Sequence, residues 1–95
     1  MEMTGTFFFD PKDLIYNDHF PGNPIVPGTQ IIRAFREAAR RAVPGSNRFV
    51  IDDFKFRQFI APGEYTYRIQ YKENSLSCEL FDKNLAAATG KLIIS

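Results

Sequence analysis

The sequence predicts an α+β fold in which one α-helix accompanies a run of antiparallel β-strands. Apolar residues recur at helical spacing over one segment, about Thr29 to Ala42, and after Ser46 the apolar period changes to two. The loops between the later strands are short, which favours an antiparallel meander. A chain of 95 residues cannot fill two cores, so one domain over 1–95 is expected.

The first elements in the chain are a short strand, a loop and the helix. Gly5 to Phe9 is apolar and is predicted as a strand, and a loop rich in proline and glycine follows it. The helix has its apolar positions at Ile31, Ile32, Phe35, Ala38, Ala39 and Ala42. Thr29 or Gly28 is expected to cap its start, and Pro44-Gly45 ends it. Its adjacent isoleucines and few early charges predict burial nearly all round, as a curved sheet wrapped around it would provide.

Four strands are predicted after the helix. In the first, Phe49 and Ile51 alternate in one phase and Phe54 and Phe56 in the opposite phase, so a β-bulge or bend is expected at Asp52-Asp53. The other three are marked by their apolar positions: Tyr65, Tyr67, Ile69 and Tyr71; then Leu76, Cys78 and Leu80; and last the segment Ala86 to Ile94. The order of elements therefore leaves the helix able to cover one sheet face.

The composition excludes several functional classes. Twelve Lys and Arg against eleven Asp and Glu leave a net charge of +1, which lacks the basic excess of a nucleic-acid-binding protein. No apolar stretch approaches the length of a membrane span. One cysteine, Cys78, and one histidine, His19, give neither an internal disulfide nor metal-ligand spacing. Glu2 stands where an export signal carries positive charge, so a cytoplasmic location is expected.

The segment His19-Phe20-Pro21-Gly22-Asn23-Pro24-Ile25-Val26-Pro27-Gly28 carries the most functional information. It contains the only histidine and three of the six prolines, and it leads directly into the helix. Prolines stiffen such a loop, and the start of a helix offers free N–H groups with a partial positive charge. A histidine beside a helix N-terminus suits acid–base chemistry on a carbonyl compound.

This segment resembles the signature His-Phe-Pro-Gly-x-Pro-x-x-Pro-Gly of the FabZ/FabA family of β-hydroxyacyl-(acyl carrier protein) dehydratases. The similarity continues downstream through Ile51-Asp52, Phe54-Lys55-Phe56, Pro62-Gly63, Asp82 and Gly90-Lys91-Leu92, and it spans roughly residues 6 to 94. The resemblance implies a hotdog fold, an antiparallel sheet wrapped around a central helix. It also implies that two such units pair as a double hotdog, in a homodimer or in a higher homo-oligomer.

The resemblance also implies roles for individual residues. His19 corresponds to the family's catalytic acid/base, and the Gly28 amide corresponds to the donor that polarises the thioester carbonyl. Phe20 and Pro27 are expected to contact the substrate. The family glutamate, five residues after the second glycine of the motif, is replaced here by Arg33, which cannot act as an acid at neutral pH because its pKa lies above 12. Arg33 is instead expected to bind an anionic group of the substrate.

Three routes remain for the missing proton donor. Glu37 lies one turn beyond Arg33 on the same helix face, Asp18 precedes the motif histidine, and His19 could act alone as base and then as acid. Arg33 and Glu37 also have the spacing of an ordinary salt bridge on a helix surface. The later arginines suit either an acidic carrier protein or the dipole at the helix C-terminus, namely Arg36, Arg40 and Arg41.

The expected function is therefore dehydration of a 3-hydroxyacyl thioester in fatty-acid or related lipid or polyketide synthesis. The acyl group would be attached to acyl carrier protein or coenzyme A, and the reaction needs no cofactor or metal. Loss of the family glutamate motivates one alternative, a non-catalytic hotdog that binds the acyl chain or the carrier, or that partners an active subunit. A second alternative is a hotdog thioesterase, for which Glu37 is the candidate carboxylate on the helix.

Overall fold

The computed structural model describes residues 2–18, 22, 24–45 and 48–94. Its elements are the strand β1 (Glu2–Phe9), the short helix α1 (Ile15–Asp18), the long helix α2 (Gly28–Ala42) and the strands β2 (Phe49–Phe56), β3 (Gly63–Lys72), β4 (Ser75–Asp82) and β5 (Leu85–Ile94). The α+β prediction is confirmed, and the predicted long helix agrees with α2 to within one residue.

The described strands form one antiparallel sheet in the order β1-β3-β4-β5-β2. The meander of β3, β4 and β5 was expected from their short loops. β1 starts three residues earlier than the apolar stretch from Gly5 indicated, because its ladder with β3 runs out to the pair Glu2 and Gln70. Strands β1 and β2 form the two edges of the sheet, so neither has a second neighbour within the described chain.

The predicted irregularity in β2 is confirmed. The register between β2 and β5 shifts between Asp52 and Lys55, and Asp53 takes a left-handed backbone conformation with φ 56°. The extra residue bends the strand, as a β-bulge does. Phe54 consequently lies directly over Gly90 of β5, where a methyl group would overlap the aromatic ring.

The core lies between one face of the sheet and α2. Its largest fully buried side chains are Phe35, Ile69, Leu76, Leu80, Leu92 and Cys78. Phe7 stacks on Tyr67 with ring centroids 4.1 Å apart and meets Phe35 edge-on at 5.0 Å, which ties β1, β3 and α2 together. Desolvation raises the pKa of the Cys78 thiol from 9.0 to about 12. Cys78 is therefore the buried apolar residue that its alternation with leucines predicted.

Two expectations about α2 are wrong. The helix buries only one side, Ile31, Phe35, Ala38 and Ala39, because the sheet covers it from that direction alone. Arg33, Glu37 and Arg40 on the other side are exposed. The N-cap is Pro27, with φ −64° and ψ 147°, and no side chain caps the helix, so neither Thr29 nor Gly28 occupies the capping position.

The short helix α1 was not predicted, since its four residues are too few to show a period. Two aspartates fix the segment that leads into α1. The Asp10 carboxylate accepts the Lys12 N–H at 2.9 Å, and the Asp13 carboxylate accepts the Ile15 N–H at 3.0 Å. Tyr16 is buried, and desolvation is the main cause that raises its pKa. These contacts place Ile15 near the start of α2.

Candidate active site at the start of helix α2

The first turn of α2 has hydrogen-bond donors to offer. The Pro27 carbonyl accepts the N–H of Gln30 at 3.0 Å and the N–H of Ile31 at 3.3 Å. Within the described ranges, no acceptor receives the N–H of Gly28 or of Thr29. These two groups carry the partial positive charge of the helix N-terminus, so they can stabilise negative charge on an oxygen placed beside them.

An apolar cavity of about 360 Å³ is lined by Gly28 and Thr29, the residues that carry these donors. Pro27, Gly28, Thr29 and Gln58 line it, and its large apolar lining residues are Ile15, Ile25, Val26, Ile31, Phe56 and Phe59. The loop before α2 is fixed there because the Val26 N–H donates to the Ile60 carbonyl at 2.9 Å. Apolar walls around a few polar groups are the usual character of a small-molecule site. This cavity suits an acyl chain whose carbonyl oxygen points at the start of the helix.

Gly28 is required by a close approach between α2 and β2. A Cβ atom at Gly28 would lie 2.8 Å from Cζ of Phe56, closer than real Cβ contacts come. The Phe56 ring therefore covers the first turn of the helix and forms one wall of the cavity. Phe56 also stacks with Phe54 at 6.4 Å, and Phe54 contacts Phe35 at 5.9 Å, so a series of aromatic rings joins the site to the core.

The site residues predicted on the helix divide into two groups. Pro27 and Gly28 line the apolar cavity, whereas Arg33 and Glu37 line a separate groove of about 430 Å³ on the exposed side of α2. Arg33 Nε lies 3.6 Å from Glu37 Oε1, with the two side chains 75% and 58% exposed. The interpretation of this pair as a surface salt bridge is confirmed. With a rise of about 1.5 Å per residue, Glu37 lies roughly 13 Å along the axis from Gly28, so one chain does not bring the two together.

His19 and Phe20 lie outside the described residues, and so does the side chain of Asp18. Their predicted roles stay predictions. Ile25, Phe56 and Phe59 were not among the site residues predicted from the sequence. Phe56 was recognised there as a strand position and as part of the family resemblance, and no periodicity indicates that its ring reaches the start of α2.

Three further features of the described chain concern metal binding, membrane crossing and a pair of charged side chains. No described group of three or more His, Cys, Asp or Glu side chains is arranged to hold a metal ion. None of the helices in the described ranges combines the length and the apolar character needed to cross a bilayer. On the far face of the sheet, Arg68 Nε donates to Glu79 Oε1 at 2.9 Å, and this hydrogen bond is the first cause that raises the pKa of Arg68.

Comparison with known proteins identifies similar dehydratases. The ApeI-like family model, described as ApeI dehydratase, matches residues 1–91. A 3-hydroxyacyl-[acyl-carrier-protein] dehydratase FabZ of Lactiplantibacillus plantarum is 32% identical over 95 aligned residues, covering 85% of this chain and 65% of the relative. The FabZ of Campylobacter hominis is 40% identical over 76 aligned residues, covering 68% and 50%. The chain thus spans less than two thirds of the length of these curated relatives.

Solved structures show the same fold. The dehydratase heterocomplex ApeI:P from Xenorhabdus doucetiae matches with a TM-score of 0.85 and 25% identity, covering 98% of this chain and 86% of that chain. The dehydratase domain from the CurJ module of the curacin polyketide synthase matches with a TM-score of 0.75 and 27% identity, covering 99% and 37%. The hotdog fold and the dehydratase resemblance inferred from the motif are confirmed. By its sequence and its fold, this chain belongs to the ApeI-like dehydratase family.

Proposed function

We propose that this protein dehydrates a 3-hydroxyacyl thioester, carried on acyl carrier protein or coenzyme A, to the 2-enoyl thioester. The observation that carries the proposal is the apolar cavity lined by Gly28 and Thr29, whose N–H groups have no acceptor among the described residues. Membership of the ApeI-like family and similarity to FabZ proteins support the same reaction. The acyl chain would occupy the apolar part of the cavity, with its carbonyl oxygen against Gly28.

Each step of the proposed reaction requires a particular chemical group. His19, acting as base, takes the proton from the α-carbon, and the electron pair passes to the thioester oxygen as an enolate. The Gly28 N–H stabilises the charge that develops on that oxygen. The enolate then reforms the carbonyl, the α,β double bond forms, and the bond from the β-carbon to the hydroxyl breaks. The departing hydroxide takes a proton from an acid and leaves as water.

The described residues of one chain do not supply the acid for the last step. Arg33 occupies the position of the family glutamate and holds its proton at neutral pH. Glu37 is paired with Arg33 away from the cavity, and the described lining of the cavity includes no carboxylate. A second subunit whose carboxylate reaches the cavity of this chain would complete the site, and Asp18 and His19, whose side chains lie outside the described residues, remain the routes within one chain. The heterocomplex description of the similar ApeI:P structure supports assembly with another chain. A homodimer, in which Glu37 of a second copy serves, is the alternative.

Deuterium exchange tests the first half of this mechanism without the missing acid. The protein is incubated with a 3-hydroxybutyryl thioester in D₂O, and deuterium at the α-carbon is measured by mass spectrometry. We expect exchange with the unaltered chain and a loss of about 100-fold or more in His19→Ala, the low end expected for removing a general base. Exchange that is unchanged in His19→Ala would remove the histidine from the mechanism.

The same experiment separates the proposal from its alternatives. A binding module that lacks catalysis would retain the thioester without exchange. A thioesterase would release the free hydroxy acid, which the mass spectrum distinguishes from both the thioester and the enoyl product. Glu37→Gln, assayed for dehydration rather than exchange, tests whether that carboxylate is the acid. A selective loss of dehydration in this variant would assign the acid to Glu37.

A further inference from the structure

One lining residue of the apolar cavity at the start of α2 stands mostly in water. Phe59 lines the cavity, yet 83% of it is exposed, compared with 44% for Phe56 in the same lining. Phe56 stacks with Phe54, whereas Phe59 belongs to none of the aromatic pairs formed within the described chain. Phe59 therefore lies at the rim of the cavity, with one side of its surroundings apolar and the rest solvent.

The backbone is held on both sides of Phe59. The Gln58 N–H donates to the Ala87 carbonyl at 3.3 Å, and the Ile60 carbonyl accepts the Val26 N–H at 2.9 Å. Ile60 itself is buried. Because both neighbours are anchored, the exposure of the ring does not come from a segment without contacts. The fold thus keeps an apolar ring in water beside an apolar cavity, and a ligand that covered the ring would remove that apolar surface from water.

The chemistry of the lining determines which arm of a thioester suits it. The pantetheine arm carries two amide groups, and an amide that is buried without hydrogen-bond partners loses free energy. Thr29 and Gln58 are the only polar side chains among the described lining residues. A hydrocarbon chain needs no such partners. With the carbonyl oxygen at Gly28, the lining therefore favours the acyl chain over the pantetheine arm.

The size of the cavity limits how much of that chain it can hold. Its volume of about 360 Å³ is near the lower end of the range for ligand pockets. A butyryl chain fits within such a space, whereas the last carbons of a longer chain extend to the rim. Phe59 is the residue that such carbons would contact.

We infer that Phe59 is a specificity-determining residue, which selects medium-length acyl chains over short ones by covering the carbons that extend beyond the cavity. The inference rests on the proposed function, because that function places the thioester carbonyl at Gly28. Each methylene group removed from water raises the affinity about fourfold. Only chains long enough to reach the Phe59 ring gain this affinity from it.

Binding of saturated acyl thioesters tests the inference, since these compounds cannot be dehydrated. The affinities of butyryl-, hexanoyl-, octanoyl- and decanoyl-coenzyme A are measured by isothermal titration calorimetry. We expect the unaltered chain to bind the decanoyl thioester more tightly than the butyryl thioester, and Phe59→Ala to reduce the ratio of the two affinities roughly tenfold or more. An unaltered chain that binds both thioesters equally, or binds neither, overturns the inference.

The dependence on chain length distinguishes substrate selection from a structural role. A ring that only supports the loop, or that contacts the pantetheine arm, would change the affinity by the same factor at every chain length, and that result overturns the inference. Phe8→Ala is the matched control, because Phe8 is also an exposed phenylalanine but does not line the cavity. We expect the control to keep the ratio of the unaltered chain, and a loss equal to that of Phe59→Ala overturns the inference. Circular dichroism confirms that each variant remains folded.

The binding experiment and the exchange experiment fail independently. Deuterium exchange that depends on His19, together with a ratio of affinities that does not depend on Phe59, rejects Phe59 as a specificity residue and leaves the dehydratase proposal standing. A ratio that depends on Phe59, together with an absence of exchange, rejects the dehydratase proposal and leaves Phe59 as the residue that selects the acyl chain.

Discussion

Gly28 links the packing of the molecule to its proposed chemistry at the scale of one residue. The missing side chain lets the Phe56 ring lie against the first turn of α2, and Gly28 lines the apolar cavity. The start of the helix predicted N–H groups that could bind an anion, and the family resemblance implied a role for the Gly28 amide. The identity of the ring could not be predicted, because Phe56 is 28 residues away in sequence and reaches the helix only through the fold.

Variants at Gly28 separate the N–H group from the packing. In a Phe56→Leu background, which makes space for a side chain, Gly28→Ala keeps the N–H and Gly28→Pro removes it. Proline is compatible with the first position of a helix, so the fold should survive. We expect α-hydrogen exchange to fall about 10²–10³-fold in the proline variant relative to the alanine variant. Equal exchange in the two variants would show that the amide has no catalytic role.

The Cys78 thiol gives a second test at this scale. Its pKa is raised to about 12 by desolvation, so the thiolate is scarce at pH 9, and the thiol is buried. We expect a disulfide reagent to modify the native protein slowly at pH 9 and the urea-unfolded protein rapidly. Rapid modification of the native protein would contradict the burial of Cys78 in the core.

At the scale of elements, the bulge in β2 shows what periodicity can and cannot predict. The change of phase at Asp52-Asp53 was readable from the sequence, because the alternation of apolar residues reverses there. The position of the Phe54 ring over Gly90 could not be read from the sequence, since it depends on the register between β2 and β5. The uncovered side of α2 was also missed: its apolar first half suggested a helix wrapped on all sides, but the sheet covers only one side.

The bulge can be tested through Gly90. A methyl group at this position would overlap the Phe54 ring, so Gly90→Ala should lower the free energy of unfolding by about 1–3 kcal/mol. Phe54→Leu in the same chain should recover part of that loss. The two changes are measured singly and together by urea denaturation. Additive effects, without recovery, would indicate that the ring does not lie over Gly90.

At the scale of the whole molecule, the aromatic core connects the candidate site to the rest of the fold. Phe35 is fully buried and contacts Phe7, Phe54 and Tyr67. It therefore joins α2 to strands at both edges of the sheet, β1 and β2, as well as to β3. Phe35→Ala should reduce the free energy of unfolding by about 3–5 kcal/mol, measured by urea denaturation. Phe8, which is 64% exposed, provides the control, and Phe8→Ala should change stability by less than about 0.5 kcal/mol. Similar losses in both variants would contradict the assignment of the core.

The account as a whole depends on the start of α2 receiving the thioester carbonyl oxygen. Infrared spectroscopy of a bound acyl thioester, labelled with carbon-13 at the carbonyl, tests this most directly. We expect the carbonyl stretch to fall below its frequency in water when the thioester binds the Phe56→Leu/Gly28→Ala protein, and to lose that shift in Phe56→Leu/Gly28→Pro. A bound thioester with the same carbonyl frequency in both proteins would contradict the account.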